Sequence, residues 1–142
     1  MPLLSKKDAD FLRDHFAQNL VKPVKLVFFT QTVACQFCRE TGQILEEVAS
    51  LSDQISVVTY NFVTDKAVAE QYGIDKIPAT IVMSDVDYGV RLYGIPSGYE
   101  FTSLIEGIVE VSRGKTGLSE ETLQAIAGLP EAMHIQVFVT PT

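Results

Sequence analysis

The feature that most constrains this chain is the run Val24-Lys-Leu-Val-Phe-Phe-Thr30, which passes through Gln31-Thr-Val-Ala34 into Cys35-Gln-Phe-Cys38. A β-branched and aromatic run of this length reads as a buried strand. The apolar spacing of Ile44, Leu45, Val48 and Leu51 then predicts a helix over about 36–51. The chemistry is expected at that strand-to-helix corner. Cys35 and Cys38 are the only cysteines, and about 1.4% of random placements would leave two residues between them.

Positions three apart share a helix face, so two sulfurs so placed can close a disulfide with little backbone movement. Cys35 is expected at the helix N-terminus, where unpaired N–H groups and the helix dipole favour a thiolate. It is the candidate attacking sulfur. Cys38, one turn inside, is the candidate resolving sulfur, which attacks the mixed disulfide on Cys35 and releases the reduced partner. A zinc site and an inert structural disulfide are the competing readings. Zinc needs four ligands, and the two histidines, His15 and His134, have no ligand neighbour in sequence. A loop this short removes little unfolded-state entropy. Arg39, in the first turn, reads either as a thiolate-favouring charge or as a solvated one.

The chain has 142 residues, with 46% hydrophobic and 20% charged content, which suits one ordinary folded domain with a core. A net charge of −7 argues against nucleic acid and anionic membrane as partners. The N-terminus turns polar at Ser5-Lys-Lys-Asp8, with no signal-peptide core, and no apolar run approaches spanning length. A cytoplasmic location is expected, where a Cys-x-x-Cys is more often catalytic than structural.

Ser5 to Asp8 reads as a helix cap, and Phe11, Leu12, Phe16 and Leu20 recur at helical spacing, predicting a helix over 5–20. Further strands are predicted at 55–61, 79–83 and 91–93, with helices at about 65–72, 97–113 and 119–127. The second strand follows a helix and should lie parallel to the first. A turn near Asp87-Tyr-Gly89 makes the third and fourth strands an antiparallel hairpin. Ser97-Gly-Tyr-Glu100 reads as a capping box.

That order, with Cys35-Gln-Phe-Cys38 at the first corner, Gly73-Ile-Asp-Lys-Ile-Pro78-Ala-Thr80 further on, and Tyr93-Gly94 after the hairpin, resembles the thioredoxin/glutaredoxin superfamily. The resemblance implies an α/β thioredoxin-like fold, a four-stranded mixed sheet flanked by helices, and a cis bond between Ile77 and Pro78. It also implies that Ile77 presents its backbone for strand-like pairing with a substrate peptide beside Pro78, with Gln36, Phe37 and Gly94 on the docking rim. The chain departs from common thioredoxins in having no Trp before Cys35, no Pro between the cysteines and no carboxylate on the first strand.

The tail repeats the first strand: Val27-Phe28, Thr30 and Thr32 match Val137-Phe138, Thr140 and Thr142 at an offset of 110. Residues 1–115 are similar to the N-terminal unit of two-unit, glutaredoxin-like protein disulfide oxidoreductases, and residues 116–142 read as the helix and strand that begin a second unit. The chain is then a fragment or a single-unit relative. The expected function is thiol–disulfide exchange on protein disulfides without cofactor or metal. A flavoprotein disulfide reductase or small thiols would supply electrons, by the resemblance. The alternative is a docking module for substrate or reductase whose catalytic unit is missing. The tail strand would also give an edge for a homodimer.

Overall fold

Burial on both faces explains why the first strand is apolar at nearly every position. In the computed structural model, which describes residues 1–140, Val24–Thr30 forms β1 at the centre of the sheet. Its neighbours are β2 (Ile55–Asn61), parallel to it, and β3 (Ala79–Met83), antiparallel. β4 (Arg91–Tyr93) pairs antiparallel with β3, giving the order β2-β1-β3-β4. Val24, Leu26 and Phe28 face one layer, while Val27 and Phe29 face the other, as a period of two requires.

The first layer holds three helices. They are α1 (Lys6–Asn19), capped by Ser5 Oγ accepting from the Asp8 N–H at 3.1 Å, α2 (Cys38–Ala49), and α4 (Tyr99–Arg113). Phe16, Leu45, Val48, Leu104 and Ile108 from these helices bury against Leu26 and Val82. Each such side chain contributes about 1.5–3 kcal/mol of burial. The opposite layer is thinner, with Ala69 of α3 (Lys66–Gln71), Ile74, Ile81 and Met83 against Phe29. No helix among the described residues is long and apolar enough to cross a membrane.

Three expectations are corrected. The second helix begins at Cys38 rather than near residue 36, because Phe37 takes a left-handed φ of 66° that a helix cannot continue through. Helix α4 is capped by Gly98, not Ser97: at φ 61° and ψ −132° this position suits glycine, and the Ser97–Glu100 segment is held by a backbone bond of 3.3 Å. The third lies in the tail. α5 (Glu120–Ala127) forms behind a Ser119 cap, but residues 130–140 make no strand, and Met133, Ile135, Val137 and Phe138 are exposed. A strand needs a neighbour for its ladder bonds, and no described strand lies alongside. The matched position Thr142 lies outside the described residues.

Two polar fixtures hold the layers in place. Ser112 on α4 is fully buried, accepts the N–H groups of Val21 and Lys22 at 2.8 and 3.1 Å, and donates to the Lys22 carbonyl at 2.7 Å. Those groups precede Pro23, in the bend between α1 and β1. Arg91 forks onto both Asp87 oxygens at 2.8 Å and donates to the Tyr72 carbonyl at 3.1 Å. This ties the hairpin to the end of α3. Chiefly through its hydrogen bonds from Arg91, the Asp87 carboxyl is held below its ordinary value.

Ser112→Ala leaves the Val21 N–H and the Lys22 carbonyl without their partner, while the Lys22 N–H keeps the Ser112 backbone carbonyl at 3.2 Å, and should lower unfolding free energy in urea by about 1–3 kcal/mol. For Asp87 the folded value is the depressed one, so its stabilisation is present above the unfolded value near 3.8 and is lost as pH falls through the lower folded value. The stability advantage of the native chain over Asp87→Asn should therefore be constant near neutral pH and shrink below pH 3.8 in acid titrations of the unfolding midpoint.

Candidate active site

β1 ends at Thr30, and the chain must turn from the sheet into α2 within seven residues. Gln31 Nε2 donates to the Val33 carbonyl at 2.6 Å, shaping the start of that turn. Ala34 at φ 55° and Phe37 at φ 66° bracket Cys35 and Gln36 in left-handed backbone, which side chains other than glycine adopt at a cost of about 1–2 kcal/mol each. Between these two residues the chain doubles back, and the sulfurs of Cys35 and Cys38 are joined in a disulfide with a Cα separation of 5.6 Å. Cys35 thus lies in the turn, three residues before the helix, and not at its first position.

The two sulfurs differ in access. Cys35 is half-buried, whereas Cys38, the first helical residue, is 4% exposed. Phe37 is exposed between them, Gln36 is exposed beside it, and Arg39 points to solvent on the first turn of α2.

Across from this corner, the Ile77–Pro78 peptide bond is cis. Register brings it there: Phe29 pairs with Ala79, so Pro78 continues β3 to the level of Thr30, the last residue of β1, after which the cysteine turn begins. Pro78 is buried and Ile77 half-buried. The Gly94 N–H donates to the Pro78 carbonyl at 2.8 Å, and at φ 85° Gly94 holds a conformation suited to glycine. Ile77 makes no backbone hydrogen bond among the described residues. Lys76 sits 4.4 Å above the Tyr93 ring and 2.6 Å from Asp75. Its ammonium holds the Asp75 carboxyl below its ordinary value; both are exposed, so the pair adds little stability.

The sequence-predicted residues thus fall into two groups, Cys35 to Cys38 on one side and Ile77, Pro78 and Gly94 on the other, at neighbouring strand ends. His15 lies apart, stacked on Phe11 at 5.9 Å, and His134 is exposed in the tail. Sequence reasoning missed Thr41 and Thr80, two hydroxyls buried close to the site in sequence and register. The available signal was a threonine three residues after Cys38, inside an otherwise apolar helix face.

Thioredoxin 1 of Synechococcus elongatus is 38% identical over 79 residues, covering 55% of this chain and 70% of that protein. The chain belongs to the thioredoxin family. No family model matches it. Among solved structures, the thioredoxin-like fold recurs in the N-terminal NTD_N/C domain of the alkyl hydroperoxide reductase AhpF of Enterococcus faecalis. That match is at 28% identity and TM-score 0.78, over 90% of this chain and 62% of that one. It recurs also in a protein disulfide oxidoreductase of Aeropyrum pernix, at 24% identity and TM-score 0.78, over 88% of this chain and 55% of that one. The chain spans about a fifth of the first curated relative it matches, 21% of the alkyl hydroperoxide reductase component AhpF of Pseudomonas putida, at 24% identity. With this family, this fold and a closed Cys35–Cys38 pair at the strand-to-helix corner, the site is a dithiol/disulfide redox centre.

Proposed function

We propose that the chain catalyses thiol–disulfide exchange on protein disulfides, with Cys35 as the attacking sulfur and Cys38 as the resolving one. The observation that carries this is the unequal access of the two sulfurs within one disulfide, Cys35 half-buried and Cys38 4% exposed. In the reducing direction the Cys35 thiolate attacks a substrate disulfide, forming a mixed disulfide and releasing one substrate thiolate. The Cys38 thiolate then attacks Cys35 Sγ, closes the Cys35–Cys38 bond and expels the second substrate sulfur as a thiolate. The substrate gains two electrons that the dithiol loses.

A protein substrate would dock as an extended segment on Ile77, whose unpaired backbone groups beside Pro78 offer strand-like hydrogen bonds. Phe37 and Gln36 would supply the rim, and Gly94 would let the partner's backbone come close. Electrons would come from a flavoprotein disulfide reductase or small thiols in a reducing, cytoplasmic setting.

The second reading is that the chain docks a substrate or reductase for a further unit, of which residues 116–142 are the beginning. The exposed apolar residues of the tail, from Leu123 to Val139, favour it. One experiment separates the two. With a small dithiol as reductant and a protein disulfide as substrate, the native chain should turn over, Cys35→Ser should fall to background, and Cys38→Ser should accumulate a mixed disulfide on Cys35. Turnover by Cys35→Ser contradicts the assignment. A native chain that binds the same substrate without turnover, with affinity kept in Cys35→Ser, would establish the docking reading instead.

A further inference from the structure

Two hydroxyls stand out in the interior. Among the described residues, Thr41 Oγ1 and Thr80 Oγ1 are the buried side-chain polar atoms with no hydrogen-bond partner, in residues 0% and 1% exposed. A buried polar group normally finds a partner, because leaving it unpaired forfeits its solvation with no return. Threonine inside a helix ordinarily bonds the carbonyl three or four residues back. Here the Phe37 carbonyl accepts the Thr41 backbone N–H at 2.9 Å, and the Thr41 hydroxyl takes neither carbonyl.

Both residues lie on the elements that meet at the redox corner. Thr41 is one turn after Cys38 on the buried face of α2. Helical side chains lean toward the N-terminus, so that of Thr41 lies over the Cys38 turn. Thr80 comes from the sheet, two residues past Pro78 and opposite Phe28. It lies on the face that α2 covers: a Cβ added at Gly42, next to Thr41, would lie 3.1 Å from the Phe28 ring. One hydroxyl is thus on the helix that carries Cys38, and the other on the strand that carries Pro78.

We propose that Thr41, with Thr80 behind it, is the hydrogen-bond partner of the Cys38 sulfur once the disulfide is open, which makes both threonines positioning residues for the resolving step. This rests on the exchange reading above. In the disulfide Cys38 Sγ has no proton to donate and is a weak acceptor, so the hydroxyls are unpaired in this state. When the bond opens, Cys38 becomes a thiol in apolar surroundings, which oppose its ionisation. A hydroxyl donating to the sulfur favours the thiolate. That thiolate attacks Cys35 Sγ of the mixed disulfide, the Cys35–substrate bond breaks, and the proton lost by Cys38 ends on the departing substrate thiolate. The charged groups nearest in sequence to Cys38, Pro78 and the start of α4 are Arg39 and Glu40, exposed on α2, Lys76, exposed before Pro78, and Glu100, half-buried in the first turn of α4; Glu46 and Glu47 lie further along α2, Lys25 on β1, and Glu106, Glu110 and Arg113 further along α4. β1 and β3 present Leu26, Phe28 and Val82 to this layer, all uncharged.

The test titrates Cys38 by thiolate ultraviolet absorbance in Cys35→Ser, with and without Thr41→Val, which removes the hydroxyl at constant shape. Thr41→Val should raise the Cys38 pKa by about one unit, and Thr41→Ser should restore it. In the chain with both cysteines, Thr41→Val should shift the equilibrium with a reference dithiol about tenfold toward the disulfide, since only the open form uses the hydroxyl. Thr80→Val should move both readings the same way and supplies the test if Thr41→Val does not fold. The titration needs no turnover, so it stands even if the exchange reading fails. Unchanged titration and equilibrium in the valine variants overturn the proposal, as does a titration that moves with Glu100→Gln and not with the threonines.

Discussion

Everything at the redox corner depends on how β1 is paired. β1 is hydrogen-bonded on both edges and buried on both faces, so its end is fixed in space by β2 and β3 together. Register with β3 then decides the site. Because Phe29 faces Ala79, the chain before Ala79 emerges beside the chain after Thr30, and Pro78 meets the cysteine turn. A slip of one residue would turn the side chains of β3 to the opposite faces and part the two halves of the site. The Gly94 bond to the Pro78 carbonyl extends that register from β3 to β4 at the same end of the sheet.

Strands buried on both faces write themselves clearly into sequence, and here all four strands have the bounds their apolar runs predict. β1 and β3 are mostly Val, Ile, Leu, Met and Phe, and their neighbours are set off by Asp, Gln and Gly. Helix bodies were legible for the same reason: Ile44, Leu45 and Val48 recur at helical spacing and are buried. Helix starts were legible where a serine caps, at Ser5 and Ser119, and not for α2 and α4. The left-handed backbone at Phe37 has no signature in an aromatic residue, and the spacing of two cysteines fits a turn as well as a helix. At Gly98 the backbone torsion outweighed the Ser-x-x-Glu pattern that suggested a cap at Ser97. In the tail, alternating apolar residues resemble a strand, but strand propensity is realised only against a neighbour.

Chemical asymmetry at the site comes from burial more than from charge. Cys35 and Cys38 are three residues apart, yet one is half-buried and the other buried, an asymmetry that supports the proposed attacking and resolving roles with no carboxylate on β1. The buried threonines add a polar device of low electrostatic cost. A neutral hydroxyl can lie unpaired in the interior at a modest penalty, where a buried carboxylate would need a partner or a proton.

For these roles to hold, Cys35 and Cys38 must be a working redox couple in the folded protein. Equilibration in thiol–disulfide buffers of graded potential, followed by alkylation and mass readout, measures this directly. A reversible two-electron transition within the family range of about −270 to −120 mV is the predicted result. A pair that never reoxidises, or that resists reduction until the protein unfolds, would mark an inert structural bond and contradict it.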